Sequence, residues 1–253
     1  MLFRSLKEAN KDGKYDAAIK RAGDYIKGIQ HVEDGVNRGG FGYKKGDKGD
    51  LSNTAFSVEA LLAAGLSKDD PAVKDALKFI SNCQNLPGEH NEQPFAKKTT
   101  EDDKGGFIYN PNINDKTKGK TADGGMRSLG GMTYSGLKSF LYAGVKKDDE
   151  RVKAAVSWCR HHYTVEENPG MGKAGLYYYY HTFAKAMDAW GEDLFEDAKG
   201  VKHDWRLELF QALQKQQLAN GSWRNVGDKG FAEDNADLST SFALLSLSYC
   251  KKR

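Results

Sequence analysis

The sequence has few cysteines, and its three lie far apart, at positions 83, 159 and 250. An odd number of cysteines at these spacings fits neither a disulfide framework nor a zinc knuckle. Basic residues are not clustered either: 38 Lys and Arg are balanced by 35 Asp and Glu, and the longest Lys/Arg run is the three residues at the C-terminus. These absences argue against a disulfide-rich secreted domain and against a nucleic-acid partner.

Long apolar runs are missing as well. The mean hydropathy is −0.70, and no stretch approaches the roughly 20 apolar residues of a membrane span. Residues 1–30 show no signal-peptide pattern, so a cytoplasmic location is the default expectation. We expect no cofactor, and the oligomeric state stays open. Met1–Ser5 carries no clear structural signal and the chain begins in the middle of a repeat, which leaves open a missing upstream segment.

The chain is organised around a stretch that occurs twice. Nine of fifteen positions of Leu62–Ala76 recur 79 residues later, in Leu141–Ala155. Each copy has the pattern of a helix end, a glycine suited to a left-handed conformation (Gly65 or Gly144) and the start of a further helix. Asp70 precedes a proline and is typical of an N-cap. The repeated unit is therefore predicted to be a helical hairpin.

We predict four hairpins, each pairing an amphipathic outer helix with a buried inner helix that is apolar on most of its faces. The outer helices are predicted at Tyr15–Gln30, Pro71–Asn85, Asp149–Tyr163 and from an Asp204 cap onward. The inner helices are predicted at Ser52–Ala64, Ser128–Gly144, Leu176–Trp190 and Leu238–Cys250. The polar segment 86–127 interrupts the second hairpin and is expected to be a lid or a functional insertion. The prediction is a single all-α domain over residues 1–253.

A second motif recurs where the outer helices end. Gln30 and Gln84 are each followed by Gly-Gly-Phe, Gln217 is followed by Gly-Ser-Trp, and Tyr163 replaces the glutamine in the third copy. The Gln217 copy resembles the QW repeat of squalene and oxidosqualene cyclases. The resemblance covers essentially the whole chain and is strongest to bacterial prenyltransferase/squalene-oxidase repeat proteins. It implies an α/α toroid, incomplete or just closed, in which about four inner helices ring a central cavity.

The acid motif of the cyclases is altered here. Those enzymes protonate their substrate from an Asp-x-Asp-Asp-Thr-Ala segment, and the similar segment in this chain is Asp50-Leu51-Ser52-Asn53-Thr54-Ala55. Ser52 stands where the resemblance places the proton-donating aspartate, and a hydroxyl group is not a strong acid. We therefore expect no protonation-initiated cyclisation, and we interpret Asp50 and the similar Asp237 mainly as helix caps.

The zinc motif of the prenyltransferases is also altered. The resemblance implies an Asp-x-Cys pair on one inner helix and a histidine on a later one. Tyr180-His181-Thr182-Phe183 is similar to the histidine element, but Gly131 and Thr133 stand in place of the aspartate and the cysteine. We therefore expect no catalytic zinc, and we expect Cys83 and Cys159 to be core residues.

Candidate site residues gather near the inner-helix starts, where free N–H groups attract anions and hydroxyls. Four consecutive tyrosines precede His181, and at least two must face away from any single cavity, since neighbouring helical residues point roughly 100° apart. Our hypothesis is a site shared by His181, Tyr177, Tyr134 and Arg127, with His181 as acid/base or ligand anchor. Further ligand-binding candidates are Asp50, Ser52, Asn53, Ser128, Tyr178, Asp237 and Ser239.

Three functions are compatible with this sequence. The chain binds or acts on an isoprenoid-type ligand, or it is a carbohydrate-active toroid similar to polysaccharide lyases, or it is a scaffold that binds a ligand or protein without chemistry. Apolar cavity walls would favour the isoprenoid ligand. Lysine or arginine with stacked aromatic rings would favour carbohydrate.

Overall fold

The computed structural model describes residues 2–114, 116–228 and 230–251. In these residues it contains nine α-helices and one two-stranded antiparallel hairpin. The helices are α1 (Leu2–Ala9), α2 (Asp16–Gly28), α3 (Leu51–Ala63), α4 (Pro71–Asn82), α5 (Gly130–Tyr142), α6 (Glu150–His161), α7 (Leu176–Trp190), α8 (Trp205–Gln216) and α9 (Ala236–Cys250). The strands are β1 (Phe195–Glu196) and β2 (Lys202–His203), with Phe195 paired to His203.

The predicted all-α class and all eight predicted helices are confirmed. The inner helices α3, α5, α7 and α9 contact one another in chain order, and the outer helices α4, α6 and α8 pack against them. Helix α1 was not predicted, and it contacts α2 and α3. Among the described residues, none of the helices combines the length and the apolar character that a membrane span requires.

Local signals explain where the helices begin and turn. The side chains of Asp70 and Asp149 accept hydrogen bonds from the first turns of α4 and α6, as expected of N-caps. Asp204 does the same for α8. Gly65 and Gly144 have φ values of 97° and 81°, the left-handed conformation predicted for the residue after each inner helix.

Burial separates the inner helices from the outer ones. Every residue from Gly130 to Phe140 in α5 is buried, and so are most residues of α7. In α2, by contrast, Ile19 and Gly23 are the buried positions. The inner helices therefore form the core, and the outer helices contribute one face each.

The glutamine motif joins successive outer helices. The Gln30 Nε2 atom donates to the carbonyl oxygen of Gly39 at 3.0 Å and to that of Ala72, in the first turn of α4, at 2.7 Å. Gln84 repeats the arrangement one unit later, donating to Gly105 at 3.0 Å and to Arg151, in the first turn of α6, at 2.9 Å. Each glutamine thus ties its own turn to the next outer helix.

The third joint is built differently. The Tyr163 hydroxyl donates to the Glu208 carboxylate of α8 at 2.8 Å, and its ring stacks on His203 with the ring centroids 4.1 Å apart. His203 in turn bonds Glu208 through Nδ1 at 2.9 Å. The β1–β2 hairpin, which the sequence did not predict, supplies this histidine.

Segment 86–127 is predominantly irregular, as predicted, with one 3-10 turn at Ala96–Lys98. It is nevertheless packed, because Phe95, Phe107 and Ile108 are buried. Its carbonyl at Tyr109 accepts the N–H of Leu51 at 2.8 Å, which places the segment over the start of α3.

The three cysteines are free thiols. Cys83 and Cys159 are fully buried in the core, as predicted, and Cys250 is partly exposed. Burial raises the pKa of Cys83 well above its ordinary value and that of Cys159 to about 12.

Candidate functional site

The facing sides of the inner helices carry polar and aromatic side chains at helical spacing. We call this set the polar column. It comprises Ser52, Phe56 and Glu59 on α3, Ser135 and Lys138 on α5, Tyr178, His181 and Lys185 on α7, and Phe242 on α9. Its members are linked by ring contacts, ion pairs and hydrogen bonds.

The column contains an ion cluster that was not predicted from the sequence. The Glu59 carboxylate contacts the Lys185 Nζ atom and lies 3.3 Å from the Lys138 Nζ atom. Lys138 is 1% exposed and Lys185 is 4% exposed. Burial raises the pKa of Glu59, but the lysines lower it more, and the pKa falls to about 2. Glu59 is therefore ionised at neutral pH, with two ammonium groups on one carboxylate.

His181 lies one turn from Lys185 on the same helix. Its ring stacks against Phe56 with centroids 6.3 Å apart and tilts against Phe242 at 5.5 Å. The side chain is 2% exposed, and neither ring nitrogen has a hydrogen-bond partner among the described residues. Burial, reinforced by Lys185 and Lys138, lowers the pKa of His181 well below 6.5. The imidazole is therefore neutral at pH 7, with one nitrogen able to donate and the other able to accept.

The four tyrosines before His181 point in different directions, as predicted. The Tyr179 and Tyr180 hydroxyls donate to the carbonyls of Thr164 and Val165, on the outer side of α7. Tyr177 faces Gln216 of α8, with its hydroxyl 3.5 Å from Oε1. Tyr178 is the tyrosine in the polar column, between Phe56 and Phe242.

The structure does not bring together the predicted group of residues, which is His181, Tyr134, Tyr177 and Arg127. Tyr134 is fully buried and packs on Tyr179 and Phe183, and its hydroxyl lies beside the Cys159 thiol. Arg127 is exposed, and its backbone N–H bonds Gly119 within the insertion. His181 instead has Phe56, Phe242 and the two lysines as neighbours.

The candidates at the start of α3 lie together. Asp50 caps the helix by accepting the Asn53 N–H at 2.8 Å, and it also accepts the Asn53 side-chain amide at 2.7 Å. The Tyr109 hydroxyl lies beside the same carboxylate, and the Ser52 hydroxyl lies beside that of Tyr178. Ser52 therefore connects this helix start to the polar column, while Asp50 has the predicted capping role.

The remaining candidates take part in local hydrogen bonding. Ser128 is buried, and its backbone N–H and hydroxyl donate to the Asp103 side chain and carbonyl at 2.7 and 2.6 Å. The Ser239 hydroxyl donates to the Glu233 carbonyl at 2.6 Å. Asp237 does not have the predicted capping role: it is exposed in the first turn of α9, and the cap of that helix is Asn235, two residues earlier.

A second carboxylate, which was not predicted from the sequence, binds the start of α7. Glu233 is fully buried, and its Oε1 atom accepts the Tyr178 N–H at 2.8 Å while Oε2 accepts the Asn225 amide at 2.9 Å. Burial raises the pKa of Glu233. A carboxylate at a helix start is favourable because it faces free N–H groups. This contact fixes the end of the helix that carries Tyr178 and His181.

One group of described residues has metal-ligand spacing. Glu89, His90 and Glu150 place one ligand atom each within 4.8 Å of the others, and both glutamates are exposed. The group lies between the insertion and the start of α6. A helix start is a poor place for a cation because its N–H dipoles point outward.

Comparison with protein-family models finds none that matches the chain, and comparison with curated proteins finds no relative. The geometry is therefore the basis for function. The polar column offers two ammonium groups, a neutral imidazole with unused hydrogen-bonding capacity and three aromatic rings. Such a set can hold a polar anion and stack against a ring.

Proposed function

We propose that this chain is an α/α-toroid protein, similar in fold to squalene cyclase and prenyltransferase repeats, that binds a hydroxylated organic anion of the acidic-sugar class in its polar column. Two features support the toroid part of the proposal. Outer and inner helices alternate through four units, and the inner helices contact one another in chain order.

The observation that carries the ligand proposal is His181 beside Lys138. A buried polar group without a hydrogen-bond partner costs about 1–3 kcal/mol. A ligand that donates one hydrogen bond to the His181 imidazole and accepts another would recover this free energy. The Lys138 ammonium, 3.3 Å from Glu59, is placed to attract a carboxylate. Phe56, Phe242 and Tyr178 supply faces on which a sugar ring packs.

This reasoning favours a carbohydrate over an isoprenoid ligand. An isoprenoid needs apolar walls, and burying lysine and glutamate against a hydrocarbon chain costs free energy. The proposal is one of binding, because Arg127, the cation that lyase chemistry would use, is exposed on the insertion.

The test compares three probes by thermal shift and isothermal titration calorimetry. The probes are trigalacturonate (hydroxyls with carboxylates), maltotriose (hydroxyls alone) and farnesol (an apolar alcohol). We expect trigalacturonate to bind and to raise the melting temperature, and the other two to have little effect. The Lys138→Met variant should lose this binding at least tenfold, whereas Lys153→Met, at an exposed position of α6, should retain it.

Two results would overturn the proposal. Binding of farnesol alone, unchanged in Lys138→Met, would establish the isoprenoid class instead. No binding of any probe by a protein with a normal helical circular-dichroism spectrum would indicate a scaffold.

A further inference from the structure

The turns that follow the first two outer helices share a tight contact with the next helix. The ring of Phe79 packs on Gly40, and the ring of Trp158 packs on Gly106. A Cβ atom added to Gly40 would lie 2.6 Å from the Phe79 ring. One added to Gly106 would lie 2.4 Å from the Ser128 side chain and 2.9 Å from the Trp158 Nε1 atom. These distances are shorter than real Cβ contacts, so a side chain at the second glycine of the motif would displace its neighbours, among them the aromatic ring of the next outer helix.

Helix α2 has the aromatic side chain of such a joint but no turn packed on it. Tyr25 stands 54 residues before Phe79, the same interval that separates Gln30 from Gln84. Phe79 and Trp158 are 0% and 3% exposed, whereas Tyr25 is 64% exposed. The outward face of α2 is therefore a joint surface without its counterpart among the described residues.

The turn after the fourth outer helix has most of the features of a turn that packs on the next outer helix. The Gln217 Nε2 atom donates to the Gly221 carbonyl at 2.9 Å, as Gln30 and Gln84 donate to their glycines. Gly221 has φ of +84°, and a Cβ added there would meet nothing within 4 Å, so no described helix is seated against it. One residue departs from the pattern: Ser222 stands where the first two turns have Gly40 and Gly106.

We propose that Ser222 closes the fourth turn to an aromatic side chain and so prevents two copies of this chain from joining head to tail, with α2 of one copy against the Gln217–Trp223 turn of the other. The occupant that Ser222 excludes is a second copy, because α2 continues the register of α4 and α6. Its Ala18 corresponds to Ala72, whose carbonyl accepts the Gln30 amide. A Cβ at position 222 would meet the Tyr25 ring as a Cβ at Gly40 would meet Phe79.

The experiment uses the full chain and a matched pair of substitutions, Ser222→Gly and Ser222→Ala. Both remove the hydroxyl and its exposed bond to Asn220, but only the glycine variant lacks the Cβ atom. Sedimentation velocity across a wide concentration range measures association. We expect the mass of Ser222→Gly to rise with concentration from one chain to at least two, and Ser222→Ala to match the wild type at one chain.

A second substitution tests the partner surface. Adding Tyr25→Ser to Ser222→Gly should restore the one-chain mass, because the aromatic side chain that enters the turn is gone. A Ser222→Gly protein that stays at one chain throughout would refute the proposal. Equal association of Ser222→Gly and Ser222→Ala, or association that persists without Tyr25, would also refute it. Far-ultraviolet circular dichroism verifies that each variant is folded.

Discussion

At the scale of single residues, the distinctive feature is one carboxylate between two buried ammonium groups. Removing one partner of a buried ion pair is strongly destabilising because it leaves a charge without compensation, whereas removing a surplus charge is not. Glu59 and Lys138 are therefore not equivalent, although they contact each other.

We expect Glu59→Gln to lower the free energy of unfolding by about 3–5 kcal/mol, since it removes the carboxylate that both buried lysines contact. Lys138→Met should change it by less than about 1 kcal/mol, since Glu59 keeps Lys185. Urea denaturation at pH 7 measures both. Equal losses in the two variants would show that Lys138 is not the surplus charge.

His181 makes stability depend on pH. Its pKa is lowered in the folded protein from 6.5, so the unfolded chain binds more protons below pH 6.5 and stability falls as the pH falls. This one group should therefore make the protein less stable at pH 5 than at pH 7. The His181→Phe variant should lose less stability than the wild type over this range, while His161→Phe, at an exposed position, should behave like the wild type. If the stability of His181→Phe depends on pH as strongly as that of the wild type, groups other than His181 cause the dependence.

At the scale of elements, the glutamine joints differ in their surroundings. Gln84 is buried and satisfies two carbonyls, one in its own turn and one in α6. Gln217 is exposed and satisfies one carbonyl, in its own turn. The same side chain therefore contributes differently to stability in different repeats.

We expect Gln84→Ala to cost about 1–3 kcal/mol, because it removes two hydrogen bonds that each contribute about 0.5–1.5 kcal/mol. Gln217→Ala should stay within about 0.5 kcal/mol of the wild type, as is usual for exposed positions. Urea midpoints at constant m-value decide this. A similar small loss in both variants would show that the joint contributes little.

The elements themselves were predictable because their signals are local. Apolar spacing, the caps Asp70 and Asp149, and the glycines after the inner helices together set where the helices lie. The ion cluster was not predicted, because it joins residues 79 and 126 positions apart. A usable signal was present: Glu59 and Lys138 occupy equivalent positions of two repeats, each a charged residue in an otherwise apolar helix. Arg127, chosen for its nearness in sequence to an inner helix, lies instead on the exposed insertion.

At the scale of the whole molecule, burial is graded along the array. Helices α5 and α7 are enclosed by neighbours on all sides, whereas α2 is covered on one. In repeat proteins, each unit is stabilised by its neighbours, so units with fewer contacts open more easily.

Hydrogen exchange measured by mass spectrometry should therefore be slowest in α5 and α7 and fastest in α2. The expected difference is at least tenfold in protection, equivalent to about 1.4 kcal/mol in opening free energy. Uniform protection across the helices would mean that the array opens as one cooperative unit. Protection greatest in α2 would contradict the burial gradient.

The reactivity of the buried cysteines reports local opening of the array. Cys83 caps the end of α4, Cys159 lies in α6, and both are buried in the core. A thiol reagent attacks the thiolate form. Their burial and raised pKa values keep them unreactive until the outer helix lifts away. The rate at which each is alkylated in the native protein therefore measures how often its repeat separates from the inner layer, one repeat at a time and without any introduced label.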